Sequence, residues 1–301
     1  ITHVPPPFSG TYTVGGGGNY PSLTNPGGIF EALNLAGATG NVVINITSDL
    51  AGETGTHPLN EIAGGFTVLI KPSGAPRTIT GSINGGLIRL FGADNVRIDG
   101  STAASFVDNV VGGTIPPREL TIQNTNVGTS NAVVVVQSGA TGAQNNTIQN
   151  VNVLGQDPTT TLIGIALGGN TIGTAGTDND GNRVINCTVR RATFGIYSAG
   201  LSAANQNTGT IISENDIGGA TGDRVRRVGI LVFNEDGISI DQNRISGIET
   251  LESADAIGIA AGIQLVDTTN VASGAITNAN ISRNRIIGVN NASTIRFSPA
   301  G

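Results

Sequence analysis

Residues 211–248, IISENDIGGATGDRVRRVGILVFNEDGISIDQNRISGI, state one phrase twice. ISENDI begins at Ile212 and IDQNRI at Ile240, each reading aliphatic, two polar positions, Asn, one polar position, aliphatic. Between them GILVFN begins at Gly229, a small residue followed by an apolar run. Stretches this short, bounded by Gly, Asn and Asp, carry strand and turn signals and are too β-branched to favour helix.

The same two phrases recur outward from this stretch. The first appears as IQNTNV (122–127), IQNVNV (148–153), VINCTV (184–189) and ISRNRI (281–286), so its starts advance by 26, 36, 28, 28 and 41 residues. The second appears as AVVVVQ from Ala132, GIALGG from Gly164, GIYSAG from Gly195 and GIQLVD from Gly262. A coil of this size cannot bury its own apolar face, so successive coils must stack, each strand pairing with its equivalent above and below. The sequence therefore predicts an all-β fold, a right-handed parallel β-helix solenoid with inward ladders of Ile and Val. Uneven spacing places insertions in the turns.

The fourth position of the first phrase is Asn215, Asn243 and Asn284 in the last three coils, and Thr125, Val151 and Cys187 in the first three. Asn tolerates the left-handed backbone of a tight turn. Its recurrence predicts a structural asparagine ladder, with amides bonded along the solenoid axis. Cys187 at the same position is expected to be a buried ladder thiol, inert for want of an activating neighbour.

Upstream, VVINI (42–46), FTVLI (66–70), GLIRL (86–90) and NVRID (95–99) read as strands of the same stack. One short capping helix is expected over about 26–37, with Asn25 as N-cap, Pro26 at the first helical position and Gly37 or Gly40 as its end. Its stripe of Ile29, Phe30 and Leu33 would plug the end of the core. Residues 1–24 are expected to form an extended Pro/Gly-rich segment, either a linker or a strand donated to a neighbour. Residues 25–301 then make a single β-helix domain with regular coils over about 118–290.

The coil phrases resemble the pectin-lyase-like superfamily of right-handed parallel β-helices. The stretches GTYTVGGGGNYPSLTNPGGIFEALN (10–34), GNVVINI (40–46) and GLIRLFGADNVRIDGS (86–101) are similar to parts of non-catalytic extracellular β-helix proteins of bacterial cell surfaces. The resemblance implies the fold and an extracellular or cell-surface location. It implies no single activity, because this solenoid carries lyases, hydrolases, esterases and adhesins alike.

Residue chemistry narrows the function further. The single cysteine allows no intrachain disulfide and no Cys-based zinc site. A net charge of −6, with Arg224, Arg226 and Arg227 as the one basic cluster, argues against nucleic acid. No apolar run is long enough for membrane insertion. Ile1 in a chain without Met reads as the start of a processed product. The carboxylate pairs Asp236/Asp241, Glu214/Asp216 and Asp178/Asp180 lie among Gly and Asn, where Asp forms turns. The stretch Asp178 to Gly181 has oxygen ligands for calcium but lacks the rest of an EF-hand loop.

Polygalacturonase-like members of the superfamily carry a Gly-His-Gly segment, whereas this chain has only His3 and His57 and no such segment. Pectate-lyase-like members use an acidic calcium cluster with an Arg or Lys base. Here Lys71 is the only lysine, and Arg190 and Arg191 have no acidic cluster beside them in sequence. The sequence thus predicts no catalytic residue, no metal and no cofactor. It predicts a non-catalytic extracellular structural protein, a stalk or filament subunit assembling through its solenoid ends. Its partners would be copies of itself or neighbouring domains of a longer surface protein, with surface glycans as a further, adhesive partner. The alternative is a polysaccharide-processing enzyme, a lyase or glycoside hydrolase, or a glycan-binding adhesin.

Overall fold

The computed structural model describes residues 6–105, 115–250, 260–266 and 275–291. Its strands stack into three parallel walls and a short three-stranded ladder of Asn207–Thr208, Glu235–Asp236 and Ile276–Thr277. Wall 1 is a nine-stranded sheet running from Phe8–Val14 through Ala38–Ile46, Val68–Pro72, Val96–Asp99, Thr147–Gln149, Arg183–Ile185, Ile211–Ser213 and Ser239–Asp241 to Asn280–Ser282. Wall 2 begins at Leu50–Glu53 and ends at Arg285–Asn291, while wall 3 begins at Leu59–Asn60 and ends at Ala261–Val266. Walls 2 and 3 meet at one corner, where Val225 pairs with Ile248. Every strand ladder is parallel, so the fold is a right-handed parallel β-helix, the hand that parallel crossovers almost always take.

The corner between walls 1 and 2 explains the repeated phrase. Ile212, Ile240 and Ile281 pair in register on wall 1, and Ile217, Ile245 and Ile286 pair on wall 2. The third position of the phrase turns the chain with a positive φ, 59° at Glu214, 54° at Gln242 and 53° at Arg283. The fourth position then points along the axis. Asn243 Oδ1 accepts from the backbone N–H and the amide of Asn215, both at 3.0 Å. Asn284 Oδ1 accepts from Asn243 in the same way, at 3.0 and 2.9 Å. Each amide also donates to a wall-1 carbonyl one coil back: Val184 for Asn215, Ile212 for Asn243 and Ile240 for Asn284. Cys187 continues the row: its N–H donates to Asn215 Oδ1 at 2.8 Å and its Sγ lies 3.5 Å from the Ile148 carbonyl.

Asn243→Ala would leave buried donors and acceptors unsatisfied in two neighbouring coils. It is expected to cost about 2–4 kcal/mol in urea unfolding, since each orphaned group costs about 1–3 kcal/mol. A loss under about 0.5 kcal/mol would mean that water replaces the amide.

Three expectations are corrected by the structure. IQNTNV is not a member of the first repeat: Ile122 pairs with Ile79 and Val153 on wall 2, and the true partner of Ile148 is Ile98. The insertion 100–119 separates the wall-1 and wall-2 strands of that coil, and the spacing of 26 imitates a repeat by chance. Asn124 clamps a different turn, donating to the Ile83, Gly85 and Ala132 carbonyls.

The helix is shorter than expected, spanning Ile29–Ala36, with Gly28 rather than Asn25 at the N-cap and no side-chain cap bond. Pro26 precedes the helix, and Asn25 is spent elsewhere, its Oδ1 accepting from the N–H and hydroxyl of Thr54. The third correction concerns residues 1–24. Phe8–Val14 is the first described strand of wall 1 and pairs with the chain's own Ala38–Ile46, while residues 1–5 lie outside the described residues.

Ile29, Phe30 and Leu33 are fully buried and close the first end of the core. The segment entering the helix is held by Glu53, whose buried carboxylate accepts from the N–H groups of Leu23 and Thr24 and from the Thr24 hydroxyl.

Candidate functional site

The outer face of wall 1 carries a polar cleft. Arg97, Thr147 and Arg183 lie side by side on three successive strands. They line an open cleft of about 310 Å³ together with Thr67, Asn95, Asn145, Gly181 and Gly209. Burial lowers the pKa of Arg97, Asp99 works in the opposite direction and the neighbouring Arg183 adds to the lowering.

The described parts of the insertion after the strand Val96–Asp99, residues 100–105 and 115–119, are bound by charges of the wall and of the insertion itself. Lys71 Nζ donates to the Thr102 carbonyl at 2.6 Å, and Arg97 donates to the Ser105 carbonyl at 2.8 Å. Glu119 accepts from the Thr102 N–H and hydroxyl, both at 2.8 Å, and these bonds hold its carboxyl below the ordinary range. Arg118 donates to the backbone carbonyl and Oδ1 of Asn186 at 2.8 and 2.6 Å. Asn186 donates to Asn150 Oδ1 at 2.8 Å, and Asn150 donates to Asp99 at 2.7 Å. Gln149 occupies the other oxygen of Asp99 at 2.5 Å, and the Ser101 N–H adds a third donor. Asp99 is buried and both oxygens are filled, so it braces the insertion rather than activating a water. The arrangement is a fixed, cationic cleft beside a tethered loop.

Of the carboxylates singled out in the sequence, Asp180, Asp216, Asp236 and Asp241 are joined to neighbouring coils, not to one another. Asp236 accepts from Thr277 Oγ1 at 2.6 Å and Asn278 at 2.7 Å, and these bonds lower its pKa. Asp241 is bound by Arg283 and by Ser282, chiefly the former lowering its pKa. Burial pushes Asp216 upward, but Arg190 at 2.6 Å and Arg244 at 2.9 Å more than reverse it. Glu214 is the left-handed corner residue described above. Asp180 accepts from the Thr208 N–H at 2.7 Å, while Asp178 is itself a left-handed turn residue at φ 54°.

Among the described residues no group of three or more His, Cys, Asp or Glu is placed to hold a metal. Asn179, between Asp178 and Asp180, is buried and reaches along the axis instead of outward. His3 lies outside the described residues, and His57 stands 3.7 Å from Glu31 beside the capping helix.

Cys187 is fully buried, and burial pushes its thiol up to about 12. A thiol-directed reagent at pH 8 is expected to leave native protein unlabelled and to label urea-unfolded protein within minutes. Rapid native labelling would contradict its place in the ladder.

Two features of this molecule had no plain mark in the sequence. One is the bracing set of Asp99, Gln149, Asn150, Asn186 and Arg118, which depends on the misread coil. The other is a second axial row in which Ala143 N–H donates to Asn179 Oδ1, Asn179 N–H to Asn207 Oδ1, and the Asn207 amide to Glu235. Glu235 thus takes an asparagine's place in a ladder. Its only sequence signal is a polar residue at the matching turn of three coils.

Three parallel walls, a polar corner ladder and a helical plug define the class: a right-handed parallel β-helix. Among solved structures the chain is similar to a pectin methylesterase from Aspergillus niger at 13% identity and TM-score 0.44, covering 97% of this chain and 92% of that one. It is also similar to the catalytic domain of a GH87 α-1,3-glucanase at 14% identity and TM-score 0.29, covering 86% of this chain and 56% of that one. At these values neither likeness says what this chain does. No protein-family profile matches the sequence, and no curated protein sequence matches it.

Proposed function

We propose that this chain is a non-catalytic structural rod of the cell exterior or cell surface, and that two copies join through one end of the solenoid. One observation carries the reading: the two ends of the core are unlike. Helix residues Ile29, Phe30 and Leu33 seal the first end. At the other, the rows that are fully buried at Ile240, Ile245 and Ile248 continue as Ile281, Ile286 and Val289, which are 44%, 46% and 38% exposed. Among the described residues, Asn280–Ser282, Arg285–Asn291 and Ala261–Val266 are the last strands of their walls.

The helical plug expected from the sequence leaves the exposed apolar patch as the joining surface. Such a patch favours an isologous pair, each copy presenting the same surface across a two-fold axis. Four of the carboxylates support a structural role too, since Asp180, Asp216, Asp236 and Asp241 hold coil to coil.

Sedimentation equilibrium of the native chain tests this reading. A dimer is expected, reduced to monomer by Ile286→Arg and unaffected by Leu35→Arg, which changes an exposed residue of the capping helix at the sealed end. A native monomer at tens of micromolar would overturn it, as would equal loss of dimer in both variants. The second reading, polysaccharide processing, rests on the cationic cleft of wall 1. Release of reducing ends or unsaturated sugars from a polysaccharide panel, lost in Arg183→Ala, would replace the structural reading.

A further inference from the structure

Arg190, Arg244 and Arg283 each end on a carboxylate, Asp216 for the first two and Asp241 for the third. Arg89 does not. It stands half-buried on the wall-3 strand Gly86–Phe91, and its Nη2 donates to the Gly55 and Thr56 carbonyls at 2.8 and 3.2 Å. Among the described residues, its Nη1 and Nε make no hydrogen bond. Burial lowers its pKa, and no described carboxylate acts in the opposite sense. A cation taken half out of water without an anion beside it leaves charge to be matched from outside. Its side chain lines a hollow of about 490 Å³ on wall 3, toward the first end of the solenoid.

The same hollow holds an orphan acceptor. Gln137 is 3% exposed; its amide donates to the Asn170 carbonyl at 2.6 Å, but its buried Oε1 has no hydrogen-bond partner. Buried polar atoms are almost always satisfied, so an orphan acceptor on the wall of a hollow calls for a donor from outside the chain. Arg89 pairs with Val135, so Gln137 lies one diagonal step away on the same face. Leu162 and Ile172 give the hollow an apolar bank. They also line an adjoining hollow of about 300 Å³, where the rings of Phe194, Tyr197 and Phe233 turn outward, away from the main core. The centroids of Tyr197 and Phe233 are 5.8 Å apart.

We infer that this face of wall 3 binds the free carboxyl terminus of a partner polypeptide, with Arg89 on the carboxylate, Gln137 Oε1 on the last backbone N–H, and an aliphatic last side chain against Leu162 and Ile172. A C-terminal residue carries these three groups on one Cα. Guanidinium is the side chain best shaped for a carboxylate, offering two parallel N–H donors. No carboxylate lines either hollow, so nothing there repels the terminus. The strand Ala192–Ala199, which carries Phe194 and Tyr197, lies three strands beyond Gly86–Phe91, about 14 Å at about 4.8 Å per strand. An extended chain rising about 3.4 Å per residue crosses that distance in about four residues. The aromatic hollow therefore takes an apolar side chain four residues before the terminus. Both hollows are separate from the wall-1 cleft and from the apolar end, so the inference holds whether or not the chain dimerises.

The test is isothermal titration calorimetry of the whole native chain with the acetylated pentapeptide Phe-Gly-Ser-Gly-Leu, bearing a free carboxylate. Binding is expected, roughly tenfold or more tighter than for the same peptide as its C-terminal amide. Arg89→Gln is expected to abolish that preference, and Arg89→Lys, which keeps the charge, to retain part of it. Gln137→Leu is expected to weaken both forms severalfold and leave the preference in place. Phe194→Ala is expected to weaken this peptide but not an analogue with alanine in place of its phenylalanine. Circular dichroism checks that each variant is folded. The proposal falls if millimolar peptide does not bind, if carboxylate and amide bind equally, or if the preference survives Arg89→Gln. It falls too if N-acetylleucine alone binds as tightly, which would assign the hollow to a small acylated amino acid, or if trigalacturonate binds more tightly than the peptide.

Discussion

Replacing Gly229 by alanine is expected to lower stability by about 3 kcal/mol or more, at the upper end of what overpacking costs. A Cβ at Gly229 would sit 2.6 Å from the Gly262 carbonyl oxygen and 2.7 Å from Ile245 Cγ2. The same arrangement repeats along the axis. A Cβ at Gly195 would meet the Gly229 carbonyl at 2.5 Å and Ile217 Cγ2 at 2.7 Å, and one at Gly262 would meet Ile286 Cγ2 at 2.6 Å. Gly164 stands equally close to Val189 and the Gly195 carbonyl. The small residue that opens the second phrase is therefore a packing requirement. Inward aliphatic side chains of wall 2 press onto the backbone of wall 3, and only glycine leaves them room.

Gly237→Ala is the control. Gly237 has φ 68°, and an added methyl there would meet nothing within 4 Å, so alanine carries only backbone strain, about 1–2 kcal/mol. Urea unfolding followed by circular dichroism separates the two. Equal losses would mean that the glycine row has room to spare.

Glu235→Gln is expected to stabilise the protein at pH 8 by about 3 kcal/mol and to leave it nearly unchanged at pH 4. Glu235 is fully buried, and its Oε1 accepts from Ser198 Oγ at 2.5 Å and the Asn207 amide at 3.2 Å. Its Oε2 and the hydroxyl of nearby Thr210 form no well-shaped hydrogen bond. Burial pushes its carboxyl up to about 7, against the lowering influence of Ser198, Thr210 and Asn207, and Asp180 adds a further upward push.

The sign follows from proton counting. Between the ordinary carboxylate range and about pH 7 the folded chain keeps a proton that the unfolded chain releases, so stability falls as pH rises through that window and levels off above it. Glutamine stays neutral throughout, keeps the acceptor for Ser198 and Asn207, and turns a donor toward Thr210. A stability difference that does not vary with pH would show that Glu235 does not titrate in this range.

The sequence made the fold readable because the corner between walls 1 and 2 needs three things in six residues. It needs an inward aliphatic on each wall, a residue that accepts positive φ and an axial hydrogen-bonding side chain; ISENDI, IDQNRI and ISRNRI supply all of them. Where an insertion breaks the corner, the phrase splits into Ile98 and Ile122, and the spacing pattern points to the wrong aliphatic. The bracing set around Asp99 was hidden for the same reason. Glu235 reads as a turn residue in NEDG, and its burial follows only from its register with Asn207. The outward rings of Phe194, Tyr197 and Phe233 were equally obscure. Wall-3 strands are apolar on both faces, which breaks the alternation that tells inside from outside.

The length of the native particle in negative-stain electron microscopy decides whether the solenoid is sealed at one end and joined at the other. Nine wall-1 strands at about 4.8 Å per coil give a core rod of about 40 Å. Straight particles of about twice that length are expected, reduced to single rods by Ile286→Arg. Filaments of many subunits, or single rods in the native sample, would contradict a pairing through one open end.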